Sequence, residues 1–172
     1  MEIYLIRHTT PAIEKGICYG QADIPLVATF QEEFDAIQKQ LPQKIETVYS
    51  SPLQRCVHLA KEINPVIHTD DRLKELDFGD WELQAWDDIP RAESNDWMED
   101  FVNVAPPNGE SYVELQQRVL SFYQELVAKP HKSVVIVTHA GVIRALLSYL
   151  RNIQLKDSFS IQVTYGTVFK LS

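Results

Sequence analysis

Two histidines and two arginines in this sequence stand where predicted strands end or a predicted helix begins. Arg7 and His8 follow an apolar run of four residues, and His139 follows the valine-rich segment Ser133–Thr138. Arg55 falls in the first turn of a predicted helix, whose backbone amides favour an anion. Arginine forks bind phosphate oxygens bidentately, a neutral imidazole can attack phosphorus, and a protonated imidazole can neutralise the charge that develops. These residues therefore predict phosphoryl-transfer chemistry.

Short apolar runs and helical periodicities alternate along the chain and would position these residues. Strands are predicted at residues 3–6, 48–49, 66–67 and 133–138, with a closing hairpin of residues 158–163 and 167–171. Helices are predicted over residues 30–41, 52–63, 112–126 and 140–150, where apolar residues recur at helical spacing. Capping boxes are expected for Thr29 with Glu32, Ser51 with Gln54, and Ser111 with Glu114.

Strands that alternate with helices indicate an α/β fold with a mostly parallel sheet. A length of 172 residues is typical of one domain. Ligands of such sheets bind at the carboxyl ends of the strands. That rule selects the loop with Arg7 and His8, the loop at residues 50–55, and the loop His139-Ala140-Gly141, whose small residues let backbone N–H groups approach a ligand.

The negative charge of the chain is concentrated in one segment. Residues 77–110 hold ten carboxylates and one arginine, so this segment has a net charge of −9. The other 138 residues have a net charge of +1, which gives the whole chain its formal net charge of −8. An acidic chain without a basic block is a poor binder of nucleic acid or of an anionic membrane. No apolar run is long enough to span a bilayer and no signal peptide is apparent. We therefore expect a cytoplasmic protein in which Cys18 and Cys56 are free thiols.

Five sequence blocks form an ordered series between the first strand and Arg144. They are Leu5-Ile-Arg7-His8-Thr9-Thr10, Gly20-Gln21-Ala-Asp23-Ile-Pro25-Leu26, Ser50-Ser51-Pro52-Leu53-Gln-Arg55, Leu73-Lys-Glu75-Leu-Asp77-Phe78-Gly79-Asp-Trp81-Glu82 and Thr138-His139-Ala-Gly141-Val-Ile-Arg144. This series resembles the signature of the histidine phosphatase superfamily, which includes the phosphoglycerate mutases. The Arg-His-Thr-Thr-Pro start followed by Gly16-Ile-Cys18-Tyr19-Gly20-Gln21 is most similar to the α-ribazole phosphatases, which dephosphorylate α-ribazole 5′-phosphate late in cobalamin assembly.

The resemblance implies a fold, a reaction and a role for each matching residue. The fold would be a three-layer, phosphoglycerate mutase-like sandwich, and the substrate a small-molecule phosphomonoester hydrolysed without a metal or another cofactor. His8 would be the nucleophile that forms a phosphohistidine. Arg7, Arg55 and His139 would bind the phosphoryl group and stabilise its transfer. Glu75 would protonate the departing alkoxide and then activate water.

Glu82 lies near the same loop as Glu75 and is its rival for the acid–base role. The Leu-x-Glu-x-x-Phe-Gly setting of Glu75 matches the family acid, which favours Glu75, and Glu82 could equally be a solvated carboxylate or a substrate contact. Gln21 and the backbone N–H of Ala140 are predicted as secondary phosphate contacts.

The first block departs from the commoner family start, Arg-His-Gly-x-Thr with an Asn three positions after that Thr. Thr9 replaces the Gly, Pro11 replaces the Thr, and Glu14 occupies the Asn position. Because the lost side chains would normally touch phosphate, Thr10 or Gln21 is expected to substitute for them. The backbone carbonyl of Thr9 can still hold the Nδ1–H of the nucleophile and direct its Nε2 at phosphorus.

The acidic segment contains all three tryptophans, Trp81, Trp86 and Trp97. Trp86, Ile89, Glu93 and Trp97 fall at helical spacing, which is typical of an amphipathic helix that packs its aromatic side chains on the core. A second hypothesis is that an aromatic side chain here, such as Trp86, stacks on the dimethylbenzimidazole of α-ribazole phosphate. The acidic rim would then discourage polyanionic substrates.

Three functions remain open at this point. The first is a phosphatase specific for α-ribazole 5′-phosphate or of broad specificity for small molecules. The second is a phosphoglycerate mutase, which an acidic cover over the site would oppose because the mutase retains a bisphosphate. The third is a non-catalytic or phosphoprotein-directed module, which the intact residue set disfavours. Arg144 is interpreted as a helix residue that anchors a loop, with contact to the substrate as the alternative, and the sequence predicts no oligomeric state.

Overall fold

Five strands form one mixed sheet in the computed structural model, which describes residues 1–171. The strands are β1 (Glu2–Arg7), β2 (Thr47–Ser50), β3 (His68–Thr69), β4 (Ser133–Thr138) and β5 (Val168–Leu171). Their order is β3-β2-β4-β1-β5, and every neighbouring pair is parallel except β1 with β5. The predicted mostly parallel sheet is confirmed.

Helices cover both faces of this sheet. They are α1 (Phe30–Gln38), α2 (Gln54–Ile63), α3 (Arg91–Glu99), α4 (Tyr112–Val127) and α5 (Ala140–Leu150). Successive residues of a strand point to opposite faces, so Ile3 and Leu5 pack in the core beside α4 and α5, while Tyr4 and Ile6 pack beside α1 and α2. Burial on both sides explains the unbroken apolar runs of β1 and β4 and confirms the three-layer α/β fold.

The strand register brings three loops to one edge of the sheet. Arg7 is the register partner of Thr138, and Ser50 is the partner of Val137. Because β1, β2 and β4 run in the same direction, the residues that follow them leave the sheet side by side. This edge holds the residues for which the sequence predicts phosphoryl-transfer chemistry.

The predicted closing hairpin is wrong. Leu155–Ser160 forms a 3-10 helix, and β5 instead extends the sheet by pairing antiparallel with β1. The side chain of Ser158 is fully buried, with its hydroxyl 3.1 Å from that of Tyr112, and the segment packs mainly against α5. The third strand also lies slightly later than predicted, because β3 pairs only with Tyr49 and Ser50 at the end of β2.

Only one of the three predicted capping boxes forms. Ser111 accepts the backbone N–H of Glu114, whose carboxylate accepts the backbone N–H of Ser111. The hydroxyl of Thr29 instead donates to the carboxylate of Glu33. The hydroxyl of Ser51 lies 2.8 Å from an imidazole nitrogen of the neighbouring loop, so α2 begins at Gln54 without a side-chain cap.

The prediction of a single amphipathic helix in the acidic segment is also wrong. Two 3-10 helices, Gly79–Trp81 and Trp86–Asp88, precede α3, and Pro90 separates the second of them from α3. Proline has no N–H to donate and its ring clashes with the preceding turn, so a continuous helix cannot pass through this position. Trp81 is buried with Cys18 in a small hydrophobic cluster that is separate from the two main core clusters.

Two further expectations concern the thiols and the membrane. Cys18 and Cys56 are both buried free thiols, as predicted. None of the helices within residues 1–171 has the length and apolar character that crossing a membrane requires.

Candidate active site

His8 leaves the end of β1 as a buried imidazole whose side chain is held on one side only. Its Nδ1 lies 2.7 Å from the carbonyl oxygen of Thr9, so a neutral ring donates Nδ1–H to that carbonyl and leaves the Nε2 lone pair unengaged. Burial lowers the pKa of His8 well below its usual value, and the positive charges of Arg55 and Arg7 lower it further. These effects favour the neutral form of the ring.

Arg7 and Arg55 bring two positive charges to this imidazole, and neither forms a salt bridge among the described residues. The guanidinium of Arg7 donates to the carbonyl of Val163 at 2.6 Å, and that of Arg55 donates to the carbonyls of Ala22 and Gly20. Backbone carbonyls fix both groups in place but do not neutralise them. Two fixed, uncompensated guanidinium groups form a site for an anion.

His139 lies edge-on to His8, with 5.2 Å between the ring centroids. Its Nε2 is 2.8 Å from the hydroxyl of Ser51, and the ring is completely buried. Burial lowers the pKa of His139, and repulsion from the His8 ring when that ring is protonated, together with the positive charge of Arg55, lowers it further. A dianionic phosphoryl group beside the ring would oppose these effects and favour the protonated form. Sequence reasoning treated Ser51 as a helix cap and missed this contact.

The rival carboxylates Glu75 and Glu82 have different surroundings. Glu75 lines the cavity over His8, and its carboxylate accepts the backbone N–H groups of Leu76 and Gly141 at 2.9 and 3.1 Å. The Glu82 carboxylate does not line the cavity. It accepts four backbone N–H groups, those of Gly20, Gln21, Ala22 and Phe78. Glu82 thus joins one loop to another, while Glu75 lines the same cavity as His8.

Of the residues predicted as secondary phosphate contacts, only Ala140 lines the cavity, at the first turn of α5. The amide and hydroxyl of Thr10 both donate to the carboxylate of Glu33, and the Gln21 side chain donates to the carbonyl of Glu75 at 3.2 Å. Thr10 and Gln21 are absent from the cavity lining, as are Pro11, which is buried, and Glu14, which is exposed.

The cavity over His8 has a volume of about 460 Å³ and walls that are mostly aromatic. Eight aromatic side chains line it: Tyr19, Phe78, Trp86, Trp97, Phe101, Tyr112, Phe159 and Tyr165. The rings of Trp86 and Trp97 stack at 5.8 Å between centroids. The acidic segment therefore contributes aromatic rings to this wall, while none of its ten carboxylates lines the cavity.

Arg144 both anchors a loop and lines the cavity, so its position agrees with each of the two interpretations drawn from the sequence. Its Nε donates to the carbonyl of Ile161 at 3.0 Å, which does anchor a loop. Its guanidinium lies over the Phe159 ring, 5.0 Å from the centroid, and no carboxylate of the described residues forms a salt bridge with it. No local sequence signal identified Phe159 or Tyr165, because their positions depend on contacts with residues far away in the chain.

Residues 1–171 contain no group of three or more histidine, cysteine or carboxylate side chains arranged to hold a metal ion.

The family model, the similar sequences and the similar structures all indicate the same family. Residues 3–172 match the family model described as the histidine phosphatase superfamily, branch 1. The chain is 27% identical to an adenosylcobalamin/α-ribazole phosphatase of Salmonella typhimurium over 96% of this chain and 87% of that protein. It is 28% identical to phosphoserine phosphatase 1 of Hydrogenobacter thermophilus over 93% of this chain and 81% of that protein. The crystal structure of the α-ribazole phosphatase of Shigella flexneri superposes with a TM-score of 0.90 at 28% identity, covering 100% of this chain and 90% of that one.

Proposed function

Because this chain belongs to the histidine phosphatase superfamily and is a phosphatase of that family, we propose that it hydrolyses α-ribazole 5′-phosphate through a phosphohistidine at His8. The observation that carries the proposal is the unengaged Nε2 of a buried His8 whose neutral form is favoured, in an aromatic cavity that it lines together with two arginines that have no salt-bridge partner among the described residues.

The proposed reaction has two steps. His8 Nε2 attacks phosphorus, so an N–P bond forms while the P–O bond to the alcohol breaks and Glu75 gives its proton to the departing oxygen. Arg7, Arg55 and a protonated His139 stabilise the charge on the phosphoryl oxygens. Glu75, now a carboxylate, then takes a proton from water, whose oxygen attacks phosphorus and breaks the N–P bond. Inorganic phosphate leaves and His8 is regenerated.

The aromatic cavity supports α-ribazole 5′-phosphate as the substrate. This ester carries a flat, largely apolar dimethylbenzimidazole beyond a neutral ribose, and aromatic walls bind such a ring by stacking and apolar contact. The α-ribazole phosphatases of Salmonella typhimurium and Shigella flexneri are similar to this chain along nearly its whole length, which supports the same assignment.

A phosphoserine phosphatase is the second candidate. The guanidinium of Arg144, without a carboxylate partner in the described chain, would suit the carboxylate of a phosphorylated amino acid. The similarity to phosphoserine phosphatase 1 of Hydrogenobacter thermophilus points the same way.

Steady-state kinetics on a panel of esters test the substrate assignment. We expect kcat/KM to be highest for α-ribazole 5′-phosphate, and lower for L-phosphoserine, 3-phosphoglycerate and glycerol phosphate. A higher value for phosphoserine would transfer the assignment to the second candidate. Formation of 2-phosphoglycerate from 3-phosphoglycerate, without free phosphate, would instead identify a mutase.

The His8→Ala variant tests the mechanism. We expect it to abolish hydrolysis of p-nitrophenyl phosphate, together with any acid-labile phosphoenzyme trapped by rapid quenching, because no other group in the cavity replaces the Nε2 nucleophile. Either activity surviving in a correctly folded His8→Ala protein would contradict a phosphohistidine at this position.

A further inference from the structure

Two tyrosines from distant parts of the chain meet in the cavity wall beside Arg7 and Arg55. The hydroxyls of Tyr19 and Tyr165 lie 2.8 Å apart, although the two residues are 146 positions apart in sequence. Both rings line the cavity. In such a pair one hydroxyl donates to the other, and the accepting hydroxyl keeps its own proton for a further hydrogen bond.

Each ring of this pair packs against one of the two arginines. The Arg7 guanidinium lies 4.0 Å from the centroid of the Tyr165 ring, and the Arg55 guanidinium lies 5.4 Å from that of Tyr19. The centroid of the Tyr165 ring is also 5.7 Å from that of the His8 ring, so Tyr165 packs beside His8.

Backbone contacts hold both tyrosines in this arrangement. The N–H of Gly166 donates to the carbonyls of Arg7 and His8, both at 3.2 Å. These contacts attach the turn that contains Tyr165 to the end of β1. The carbonyl of Gly20 accepts from Arg55, which fixes the residue after Tyr19. The hydroxyl pair is therefore positioned before any ligand binds.

The side chains that the sequence suggested as extra phosphate donors are engaged elsewhere. Thr10 donates to the carboxylate of Glu33, and the amide of Gln21 donates to the carbonyl of Glu75. Neither lines the cavity, whereas both tyrosine hydroxyls belong to side chains that do.

We propose that Tyr165 is a phosphate-binding residue whose hydroxyl donates to a phosphoryl oxygen of the substrate, while the hydroxyl of Tyr19 donates to the oxygen of Tyr165. The ligand is any phosphomonoester or inorganic phosphate held by Arg7 and Arg55, so the inference rests on the proposed function but not on the identity of the alcohol. A hydroxyl that accepts one hydrogen bond becomes a stronger donor in the next. Burial raises the pKa of Tyr19, which keeps that phenol protonated and able to donate.

The test is binding of inorganic phosphate to three variants, Tyr165→Phe, Tyr19→Phe and Tyr149→Phe, measured by titration calorimetry. Phenylalanine keeps each ring against its arginine and removes only the hydroxyl. We expect Tyr165→Phe to weaken phosphate binding at least tenfold, since a hydrogen bond to a charged group is lost. Tyr19→Phe should weaken it less, because it removes only the polarising partner. Tyr149 is exposed on α5 and outside the cavity, so its variant is the control and should bind like the wild-type protein.

The order of the two effects separates direct donation from a purely structural bridge. A bridge between two loops is lost equally in either variant, so equal losses, or a larger loss for Tyr19→Phe, overturn the proposal. A loss below tenfold for Tyr165→Phe overturns it as well. If the wild-type protein itself fails to bind phosphate, the proposed function fails instead, so the two failures are distinguishable.

Discussion

The side chains of Glu75 and Glu82 differ in role because they accept hydrogen bonds from different sets of backbone N–H groups. Glu75 and Glu82 are seven positions apart, and both are partly buried carboxylates. Two backbone N–H groups hold Glu75 at the cavity wall, whereas four converge on Glu82 and join the loop at Gly20 to the turn at Phe78. A carboxylate with that many donors stabilises the backbone around it.

Substitution of each carboxylate by glutamine should separate these tasks. Glu75→Gln should slow phosphoenzyme formation from α-ribazole 5′-phosphate by about 10²- to 10⁴-fold, because the alkoxide then leaves without a proton. The effect on p-nitrophenyl phosphate should be much smaller, since nitrophenolate needs no proton to leave. Rapid-quench measurements of both substrates check this expectation.

The matched variant Glu82→Gln should show the opposite pattern. We expect its free energy of unfolding in urea to fall by about 1–3 kcal/mol, because charged acceptors of backbone N–H groups are lost. Its ratio of rates on the two substrates should stay at the wild-type value. A leaving-group dependence in Glu82→Gln, and none in Glu75→Gln, would reverse the proposed acid–base assignment.

At the scale of elements, the segment between Glu75 and α4 supplies the cavity wall from irregular structure. Pro90 prevents one long helix, and two 3-10 helices with α3 place Trp86 against Trp97 and Phe78. Trp86 is 39% exposed at the cavity, so its ring retains a face that is not covered by the core. The segment thus combines aromatic packing with a surface for a planar ligand.

Trp86→Ala should lower kcat/KM for α-ribazole 5′-phosphate by about three- to tenfold, the range expected for a lost aromatic stacking contact. Hydrolysis of glycerol phosphate, which has no ring, should change by less than twofold. Met98→Ala is the matched control, because Met98 belongs to the same segment, is 68% exposed and does not line the cavity. Equal losses on both substrates in Trp86→Ala would argue against stacking.

At the scale of the whole molecule, opposite charges are separated between the sheet edge and the acidic segment. Three arginines line the cavity with only Glu75 as a carboxylate, while the acidic segment carries a net −9. The carboxylates of that segment bond backbone N–H groups, pair with Arg118 or face solvent, so they leave the cavity itself positive. The acidic rim therefore does not form the wall that a substrate touches.

Burying His8 and His139 beside arginines should make the stability of the fold depend on pH. Both have a folded-state pKa below the unfolded value of about 6.5, so below that pH the unfolded chain binds protons that the folded chain does not. The free energy of unfolding should be highest above about pH 7. It should fall as the pH decreases towards the folded-state pKa values, by up to about 1.4 kcal/mol per pH unit for each histidine.

Urea unfolding between pH 7.5 and 5 measures this dependence, with the double variant His8→Asn/His139→Asn as the comparison. The variant lacks both titrating rings, so its stability should depend less steeply on pH in this interval. Identical slopes for the two proteins would contradict the expected burial of neutral imidazoles.

The sequence by itself determined the parts of this protein that depend on local pattern. Apolar runs predicted β4 and α5 with their observed bounds, and the Ser111 capping box formed as expected, because hydrophobic period and cap chemistry act within a few residues. Parallel strands that end at one edge then predicted that His8 and His139 meet. Those features follow from neighbours along the chain and from one topological rule.

Only the tertiary structure decided which side chains complete the cavity. The Tyr19–Tyr165 pair and the approach of Ser51 to His139 each join segments that are more than 80 residues apart. The final segment became a 3-10 helix and an edge strand because Leu155–Ser160 packs against α5, with Ser158 buried beside Tyr112, and the edge of β1 pairs with β5. Such contacts depend on the packing of whole elements against each other, and no local period in the sequence records them.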